Sequence, residues 1–422
     1  MPVSAVSVSM FKTATVSAYQ RISQLASRRD VHQAFQWLHL QGPRMLQWQM
    51  EVIAIPAPPF GERLRAEWLC AEFTRLGLCN VHIDGEGNAL AELPASNTAD
   101  DSPCILVSAH LDTVFPAGTP TEPRMEEGRI LAPGACDNAS GITALLAMAA
   151  ALTHAGITPR QTILFAGNVG EEGEGNLRGM MHLFTRSLYR TRIAATLALD
   201  GAGTAPVVAQ ALGSRRFRIT LTGPGGHSWT DHGIVNPVIV LCRALSAIAE
   251  IPLPQNPVTS LNACLIEGGT AINAIPQSAT AQLDLRSTDP DQILWGEVMI
   301  HRAVEDAVIA VNKDAPKTGS GEVSFRIDVI GDRPASSLDE AAPILQTIRA
   351  VDRHLSIRTE MRIGSTDANV PLSLGRQAVS LGTGGSTGGT HTLQEWYDPA
   401  GRELALKRIL LALLDLCESA VW

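Results

Sequence analysis

The sequence predicts an α/β fold in which a mixed, mostly parallel sheet is interrupted by an inserted ferredoxin-like α+β domain. Short apolar runs alternate with helical patterns near both ends of the chain, as in a sheet covered by helices on both faces. Segments in the middle instead alternate apolar and polar residues. The chain has 422 residues, which is more than a single core usually serves. We therefore predict a main domain in two parts, 1–213 and 331–422, around an inserted domain at 214–330.

The elements of the main domain follow from its apolar spacing. Helical spacing covers residues 33–78 and breaks at the Pro/Gly-rich loop A-I-P-A-P-P-F-G at 54–61. Apolar runs predict strands at 81–83, 89–93, 104–108, 161–167, 194–199 and 377–381. Further helices are predicted at 141–154, 177–187, 341–355 and 401–417.

The inserted domain has a different order of elements. R-F-R-I-T-L-T at 216–222 and V-S-F-R-I-D-V-I at 323–330 alternate with a period of two, which indicates half-buried strands. Strands are also predicted at 260–266 and 279–286, and helices at 237–251 and 289–311. The resulting order β-α-β-β-α-β is that of a ferredoxin-like unit.

The composition excludes several classes of partner. The formal net charge of −9 argues against nucleic acid, because binding phosphates requires clustered Lys and Arg. No apolar run reaches the ~18 residues of a membrane span, so no membrane partner is expected. Seven cysteines, mostly in apolar runs and without C-x-x-C, indicate buried reduced thiols and a cytoplasmic location.

The first 30 residues leave two interpretations open. They contain no acid before Asp30 but several Ser and Arg residues, a composition that weakly resembles a transit peptide. The alternative is a frayed or misassigned start, with Met10 as the initiator.

Acids and histidines stand just past the predicted strands or just before a helix. When the carboxyl ends of strands share one edge of an α/β sheet, such residues meet in one crevice. His110 and Asp112 are two residues apart, so in an extended segment they share a face. The converging residues are His110, Asp112, Asp137, Glu171, Glu172, Asp200 and His391. Imidazole and carboxylate ligands suit Zn²⁺, Mn²⁺ or Co²⁺, and this many carboxylates suit two ions that share a bridging ligand.

The adjacent acids Glu171 and Glu172 fit that interpretation. They lie between glycines in N-V-G-E-E-G-E-G-N, where two like charges repel and are costly to bury unless positive charge is near. Divalent ions would make both charges favourable, and one carboxylate could ligate while its neighbour acts as a base. The segment G-S-T-D-A-N at 364–369 is a further candidate for lining the cleft, through Asp367.

Seven motifs, in order along residues 45–420, resemble those of a known family. They are A-H-L-D-T-V, G-A-C-D-N-A-S-G, G-E-E-G-E-G-N-L-R-G, L-D-G-A-G, G-G-H-S-W, N-A-I-P and G-T-H-T. They are similar to motifs of the dinuclear zinc metallopeptidases related to peptidase T, carboxypeptidase G and the aminoacylases, and closest to the tripeptidase and aminopeptidase branch. The resemblance implies that the main domain is zinc-exopeptidase-like and catalytic.

The resemblance also implies a set of metal ligands. These are His110 and Asp200 on one zinc ion, Glu172 and His391 on the other, and Asp137 as the bridge. A cis peptide bond is expected directly after the bridging residue.

Further roles are implied for residues around the metal ions. Glu171 would be the general base, and Asp112 would orient the first histidine ligand. In the inserted domain, His227 of G-G-H-S-W would reach across a dimer and stabilise the oxyanion in the partner's site. Asn273 of N-A-I-P and Arg286 of L-D-L-R-S would bind the substrate, with the guanidinium on its carboxylate.

The expected function is that of a metallopeptidase. It would be a di- or tripeptidase or an aminopeptidase that acts on short peptides through a water activated by two divalent ions. Zinc is expected, with cobalt and manganese as alternatives. Asp200 favours this type, because in the resembled family Glu at that place goes with carboxypeptidases and deacylases. A homodimer is expected.

Two other functions stay open at this point. Asn138-Ala139-Ser140-Gly141 lacks the Lys that many relatives have after the bridging region. This departure weakens the assignment of the substrate by motif, and an amidohydrolase of N-acyl or N-carbamoyl amino acids on the same scaffold is the second alternative. A catalytically silent binding protein is the third alternative.

Overall fold

The computed structural model describes residues 17–96, 102–314 and 321–419. The first part of the main domain contains the helices α1 (Ala18–Ala26), α2 (Arg29–Leu40), α3 (Gly42–Ile53), α4 (Arg63–Arg75), α5 (Ala139–His154) and α6 (Arg178–Thr185). Its strands are β1 (Cys79–Ile83), β2 (Ala89–Leu93), β3 (Cys104–His110), β4 (Arg124–Glu126), β5 (Arg129–Leu131), β6 (Thr162–Asn168), β7 (Ile193–Leu199) and β8 (Pro206–Ala211).

The inserted domain and the second part of the main domain complete the fold. The inserted domain contains β9 (Gly213–Thr222), β10 (Gly226–His227), α7 (Pro237–Ala249), β11 (Thr259–Gly268), β12 (Ala274–Ile275), β13 (Ser278–Ser287), α8 (Pro290–Asp314) and β14 (Ser324–Arg333). The second part of the main domain contains β15 (Ser336–Ser337), α9 (Pro343–Leu355), β16 (Glu360–Gly364), α10 (Asn369–Ser373), β17 (Gln377–Leu381), β18 (Ser386–Gly388), β19 (Trp396–Asp398) and α11 (Arg402–Glu418).

The main sheet joins strands from both parts of the main domain. Its order is β1-β2-β6-β3-β7-β17-β8-β15, and β16 pairs with β8. The central strands β6, β3, β7 and β17 are parallel to one another, whereas β2 and β8 pair with this block in antiparallel fashion. Every residue of β3 and β6 is buried, as expected for strands covered on both faces. The predicted α/β class, with its mixed and mostly parallel sheet, is confirmed.

The first turn of α5 is fixed against the end of β7. Asn138 caps the helix by accepting a hydrogen bond from the Gly141 N–H at 3.0 Å, and its own amide donates to the Leu199 carbonyl at 2.9 Å. A Cβ atom on Gly141 would lie 2.4 Å from the same carbonyl, so only glycine permits this approach. The loop that leads into the helix is therefore held at the carboxyl end of the sheet.

The inserted domain is built as predicted from four long strands and two helices. The sheet order β11-β13-β9-β14 is antiparallel throughout and is that of a ferredoxin-like unit. Phe217, Ile219 and Leu221 of β9 are buried with the apolar residues of α7 and α8. Arg216 and Arg218 alternate with them and therefore lie on the other face. The observed sheet runs from Gly213 to Arg333, and the exact domain limits stay a prediction.

The N-terminal segment is helical from residue 18 onward. Ser17 and Gln20 form a capping box at the start of α1, and Ile22 and Leu25 are buried in the core of the main domain. Residues 17–30 are therefore not frayed, because their apolar face packs on the main domain, whereas the targeting interpretation stays a prediction. Residues 1–16, including Met10, lie outside the described residues.

The structure also corrects the expected burial of the cysteines. Cys104, Cys136 and Cys417 are buried, but Cys79, Cys242 and Cys264 are exposed. All seven are free thiols. Among the described residues, no helix combines the length and the apolar character that crossing a bilayer requires.

Candidate metal centre

The carboxyl ends of the four parallel strands deliver the predicted site residues to one edge of the sheet. His110 is the last residue of β3, and Asp200 follows β7 directly. Glu171 and Glu172 come three and four residues after the end of β6. His391 lies between β18 and β19, beyond the end of β17. Because parallel strands end on the same side, these side chains converge.

Asp137 lies at the centre of this group. Its Oδ1 atom is 3.1 Å from Nε2 of His110, and its Oδ2 atom is 2.9 Å from Nε2 of His391. Asp200 approaches the first histidine, with 3.8 Å between its Oδ1 and Nε2 of His110. Glu172 approaches the second, with 3.2 Å between its Oε1 and Nε2 of His391. One carboxylate thus faces two histidines, each with its own additional acid.

The donor set fits divalent metal ions. Atoms of His110, Asp137 and Glu172 that could ligate lie within 4.8 Å of one another. Oδ1 of Asp137 is buried and accepts no hydrogen bond of good geometry, although Nε2 of His110 is near. A buried carboxylate oxygen without a donor is expected where a cation binds. Imidazole nitrogen and carboxylate oxygen without thiolate suit Zn²⁺, Mn²⁺ or Co²⁺.

The charges of the group depend on one another. Hydrogen bonds with Asp137 and Glu172 raise the pKa of His391 to about 10. Burial would lower the pKa of His110, but its contacts with Asp112, Asp137 and Asp200 raise that pKa well above its usual value. Burial would raise the pKa of Asp137, but the two imidazoles hold it well below its usual range. The carboxylates therefore favour positive charge at this edge of the sheet.

The loop that carries Asp137 is held by Glu395, a residue that the sequence analysis missed. The buried Glu395 carboxylate accepts backbone hydrogen bonds from Cys136 at 2.8 Å, Asp137 at 3.0 Å and Gly134 at 3.0 Å. The expected cis peptide bond is present between Asp137 and Asn138. His391, four residues before Glu395, has a φ angle of 65°, which is uncommon for a residue other than glycine. Positive φ angles at residues other than glycine concentrate at functional sites.

Asp112 connects the ends of β3 and β6. Its Oδ1 and Oδ2 atoms accept hydrogen bonds from the backbone N–H groups of Glu171 at 3.0 Å and Glu172 at 2.7 Å. Its Oδ1 atom is also 3.5 Å from Nδ1 of His110. The side chain is fully buried. Asp112 therefore sets the position of both the histidine and the two adjacent acids.

Glu171 is buried beside this group and contacts an arginine that the sequence analysis also missed. Nη1 of Arg333 donates to Oε1 of Glu171 at 3.0 Å, and Nη2 donates to the carbonyl of the same residue. Burial raises the pKa of Glu171 well above its usual value, although the charge of Arg333 acts in the opposite direction.

Asp367 is a further buried acid next to the centre. Both of its carboxylate oxygens lie 2.8 Å from the amide nitrogen of Asn168, the last residue of β6. Burial raises the pKa of Asp367 to about 7. Asp367 of G-S-T-D-A-N is thus bound to the end of β6, and its predicted place in the lining of the cleft stays a prediction. The short helix α10 follows it.

The model of Peptidase family M20/M25/M40 matches residues 106–415 of the chain. The chain belongs to this family. The matched range includes the inserted domain and every residue of the centre described above. The family resemblance predicted from the motifs is thereby confirmed.

Solved structures share the fold of this M20/M25/M40 family chain. Aminopeptidase PepT from Bacillus cereus superposes with a TM-score of 0.70 at 21% identity, over 89% of this chain and 99% of that one. A tripeptidase from Staphylococcus aureus gives 0.69 at 19% identity, over 89% and 98%. The dipeptidase Dug1p from Saccharomyces cerevisiae gives 0.70 at 15% identity, over 92% and 99%.

Curated relatives match a shorter part of the chain than the solved structures do. A succinyl-diaminopimelate desuccinylase from Gluconacetobacter diazotrophicus is 27% identical over 221 residues, 49% of this chain and 57% of its own length. A protein named "Probable carboxypeptidase" from Aspergillus clavatus is 27% identical over 233 residues, which are 50% of this chain and 49% of its own length. The chain thus spans about half the length of the curated relatives that it matches.

Among the described residues of this M20/M25/M40 chain, no hydrogen bond or ion pair joins the three predicted residues of the inserted domain to the centre. In the described residues, Nδ1 of His227 accepts hydrogen bonds from the backbone N–H groups of Trp229 and Thr230. Its own backbone N–H donates to Oδ2 of Asp231, and the residue pairs with Ala274 of β12. Asn273 stands next to it, since its carbonyl accepts from the Ser228 N–H at 3.0 Å. Arg286 is paired with Asp284 at 2.7 Å. Their predicted roles in catalysis and binding stay predictions.

Proposed function

We propose that the protein is a metal-dependent exopeptidase that hydrolyses short peptides, of the dipeptidase, tripeptidase or aminopeptidase type. The observation that carries the proposal is the position of Asp137 between His110 and His391, each of which has its own second carboxylate. This is the arrangement expected of a carboxylate that bridges two neighbouring metal ions.

Two divalent ions would be held by residues from five separate segments. His110 and Asp200 would bind one ion, Glu172 and His391 the other, and Asp137 both. A Bacillus subtilis structure with the same fold, with a TM-score of 0.64 at 13% identity over 89% of this chain and 98% of that one, is described as a dinuclear metal-binding peptidase of the M20 family. Bound zinc ions would polarise the scissile carbonyl and lower the pKa of the attacking water.

Glu171 would act as the general base in this reaction. Its burial beside the centre raises its pKa, which suits a group that takes a proton and then gives it up. It would take the proton of the attacking water and transfer it to the nitrogen of the leaving amine. Asp112 would hold Glu171 and Glu172 in place through their backbone N–H groups.

The inserted domain would complete the site from a second copy of the chain. The side chain of His227 is exposed and makes no contact with the centre of its own chain in the described residues, which supports a role across a homodimer. The outer strand β11 exposes Leu265 and Ile266, at 55% and 60%, and could pair with its equivalent in the partner. Asn273 and Arg286 would then bind the substrate, and the guanidinium of Arg286 would pair with the carboxylate of the substrate.

A second candidate is an amidohydrolase that removes an acyl group from an amino acid. The curated relative named as a succinyl-diaminopimelate desuccinylase favours it. Both reactions break an amide bond with the same centre, so they differ in what flanks the bond. An unblocked α-amino group defines the peptidase substrate, whereas an N-acyl group defines the other.

The experiment that tests the proposal is a screen of the full-length protein after removal of metal and reconstitution with zinc, cobalt or manganese. Free di- and tripeptides are compared with N-acetyl, N-succinyl and N-carbamoyl amino acids, and bound metal is measured in the same samples. We expect about two ions per chain and turnover of unblocked peptides only after reconstitution. Turnover of N-acyl amino acids alone would favour the second candidate, and turnover of neither class would contradict both.

A further inference from the structure

The inserted domain contacts the segment that carries Glu171 at three points. All three contacts come from the ends of β9 and β14 that lie next to the main domain, and all reach the turn that follows β6. The contacts are Arg333 with Glu171, Nη1 of Arg216 with the Gly173 carbonyl at 2.9 Å, and the Asp332 N–H with Oδ1 of Asn176 at 2.9 Å. The turn 171–176 is thus attached to the inserted domain as well as to its own strand.

Arg333 makes the most specific of these contacts. One guanidinium nitrogen donates to the side-chain oxygen of Glu171 and another to the backbone carbonyl of the same residue. Nη1 also lies 3.3 Å from Oγ of Ser365. Both charged side chains are almost fully buried, at 8% and 6% exposed. Because the guanidinium is planar, its two bonds to Glu171 restrict the side-chain torsions of that residue in addition to compensating its negative charge.

The position of Arg333 is itself fixed where the chain passes between the domains. It is the last residue of β14 and pairs there with Ser214 of β9. The amide of Asn369 donates to the carbonyls of Leu212 at 2.9 Å and Pro334 at 3.0 Å, so it ties the two crossing segments together. The guanidinium therefore projects from a rigid junction rather than from a loop.

A role in stability alone does not explain this geometry. A buried ion pair contributes little net stability, because desolvation offsets its attraction. Neutralising Glu171 would need only a contact to its carboxylate. The second bond, to the backbone carbonyl, instead restricts where the carboxylate can point. Displacing a reacting group by about 1 Å costs on the order of 10²-fold in rate.

We propose that Arg333 is a positioning residue for the reaction: from the end of the inserted domain it holds the carboxylate of Glu171 in the orientation that proton transfer requires. The inference rests on the proposed function, in which Glu171 is the general base. It assigns to the inserted domain a role within the catalytic centre of its own chain, separate from any role of His227 in a partner.

The test compares zinc-loaded full-length variants on an unblocked tripeptide. The variants are R333M, which keeps the length of the stem, R333K, which keeps a charge but only one donor group, E171Q, and the double variant E171Q/R333M. The matched control is R362M, which removes an exposed arginine that pairs with Glu360 on β16. The turnover number kcat, KM and the metal content are measured for each.

We expect R333M to lower kcat by about 10²-fold with KM and metal content unchanged, and R333K to recover part of the loss. In the E171Q background, R333M should change the residual kcat by less than about threefold, because residues that act as a unit are not additive. R362M should behave as wild type. This pattern distinguishes positioning from general damage, which would also lower the residual rate of E171Q.

Two results would overturn the inference while leaving the proposed function intact. One is an R333M or R333K protein with the wild-type kcat while E171Q is strongly impaired. The other is an R333M effect of the same size in both backgrounds. R333K covers the case in which R333M does not fold. If E171Q itself kept nearly full activity, the proposed role of Glu171 would be wrong and this inference would fail with it.

Discussion

Replacing Glu395 with glutamine tests how the loop that presents Asp137 is held. The carboxylate accepts three backbone hydrogen bonds, two on Oε1 and one on Oε2. Glutamine can keep the pair on its oxygen, but its amide nitrogen would face the Gly134 N–H donor. One charge-assisted bond is lost, and the other two become neutral and weaker.

The magnitude follows from these three bonds. A hydrogen bond to a charged group contributes about 1.5–3 kcal/mol and a neutral one about 0.5–1.5 kcal/mol. Burial raises the pKa of Glu395, so removing its charge recovers some desolvation energy. We therefore expect E395Q to lose roughly 2–4 kcal/mol in the free energy of unfolding of the metal-free protein. Because the loop also positions Asp137, the proposed bridging ligand, metal affinity should fall by about 10–100-fold.

Urea unfolding of the metal-free protein and competition titration with a zinc chelator measure the two effects. The control is E126Q, which changes an exposed acid on β4. This strand belongs to the four-stranded sheet β18-β19-β5-β4, and Glu395 directly precedes β19. If E395Q unfolded at the same urea concentration as E126Q and bound zinc as tightly, Glu395 would not hold the loop, and the reasoning would be refuted.

Three further predictions follow from buried carboxylates and their partners. Asp112→Asn keeps only one acceptor for two backbone N–H groups and should weaken zinc binding by about 10–100-fold in chelator competition, an effect that unchanged affinity would contradict. In the metal-free protein the pKa of Asp367 is raised from 3.8 to about 7, so the folded state holds this proton more tightly. Its stabilising contribution is complete below the unfolded pKa and is lost as the pH rises through about 7, by up to roughly 4 kcal/mol. Asp367→Asn should therefore flatten the dependence of unfolding free energy on pH, and an unchanged slope in urea titrations would rule this out. Arg408→Met leaves the buried carboxylate of Asp352, which it binds at 2.6 and 2.7 Å, without its cation and should cost about 3–5 kcal/mol of unfolding free energy in urea titrations, whereas wild-type stability would show that the lone carboxylate is compensated without the arginine.

The central elements could be predicted because their signals are local. Seven-residue buried strands such as β3 and β6 leave continuous apolar runs, and the residues just past them are those of the centre. The strands of the inserted sheet could also be predicted, because their apolar and polar residues alternate. The three-residue strands β4, β5, β18 and β19 were missed, because so few residues show no period. Helix α1 was not predicted, because the Ser- and Arg-rich composition around it resembles that of a targeting or frayed segment.

The residues that hold the centre in place could not be found in the same way. Glu395 binds a loop 258 residues away, and Arg333 binds Glu171 across 162 residues. Neither follows a predicted strand of the central block, and a lone buried charge has no spacing that distinguishes it from an exposed one. Only the packed structure shows which groups Glu395 and Arg333 contact. Asp367 was noticed for its motif, but its partner Asn168 was not.

The contact between Asp137 and His391 joins positions 254 residues apart. The other four proposed metal ligands precede position 201, so the last of the five is translated long after the others. A growing chain on the ribosome would therefore carry an incomplete set of these ligands until translation has passed His391. If these five residues bind two metal ions, tight uptake of the second ion would follow the docking of β17 and the loop beyond it, and would mark the joining of the two parts of the main domain.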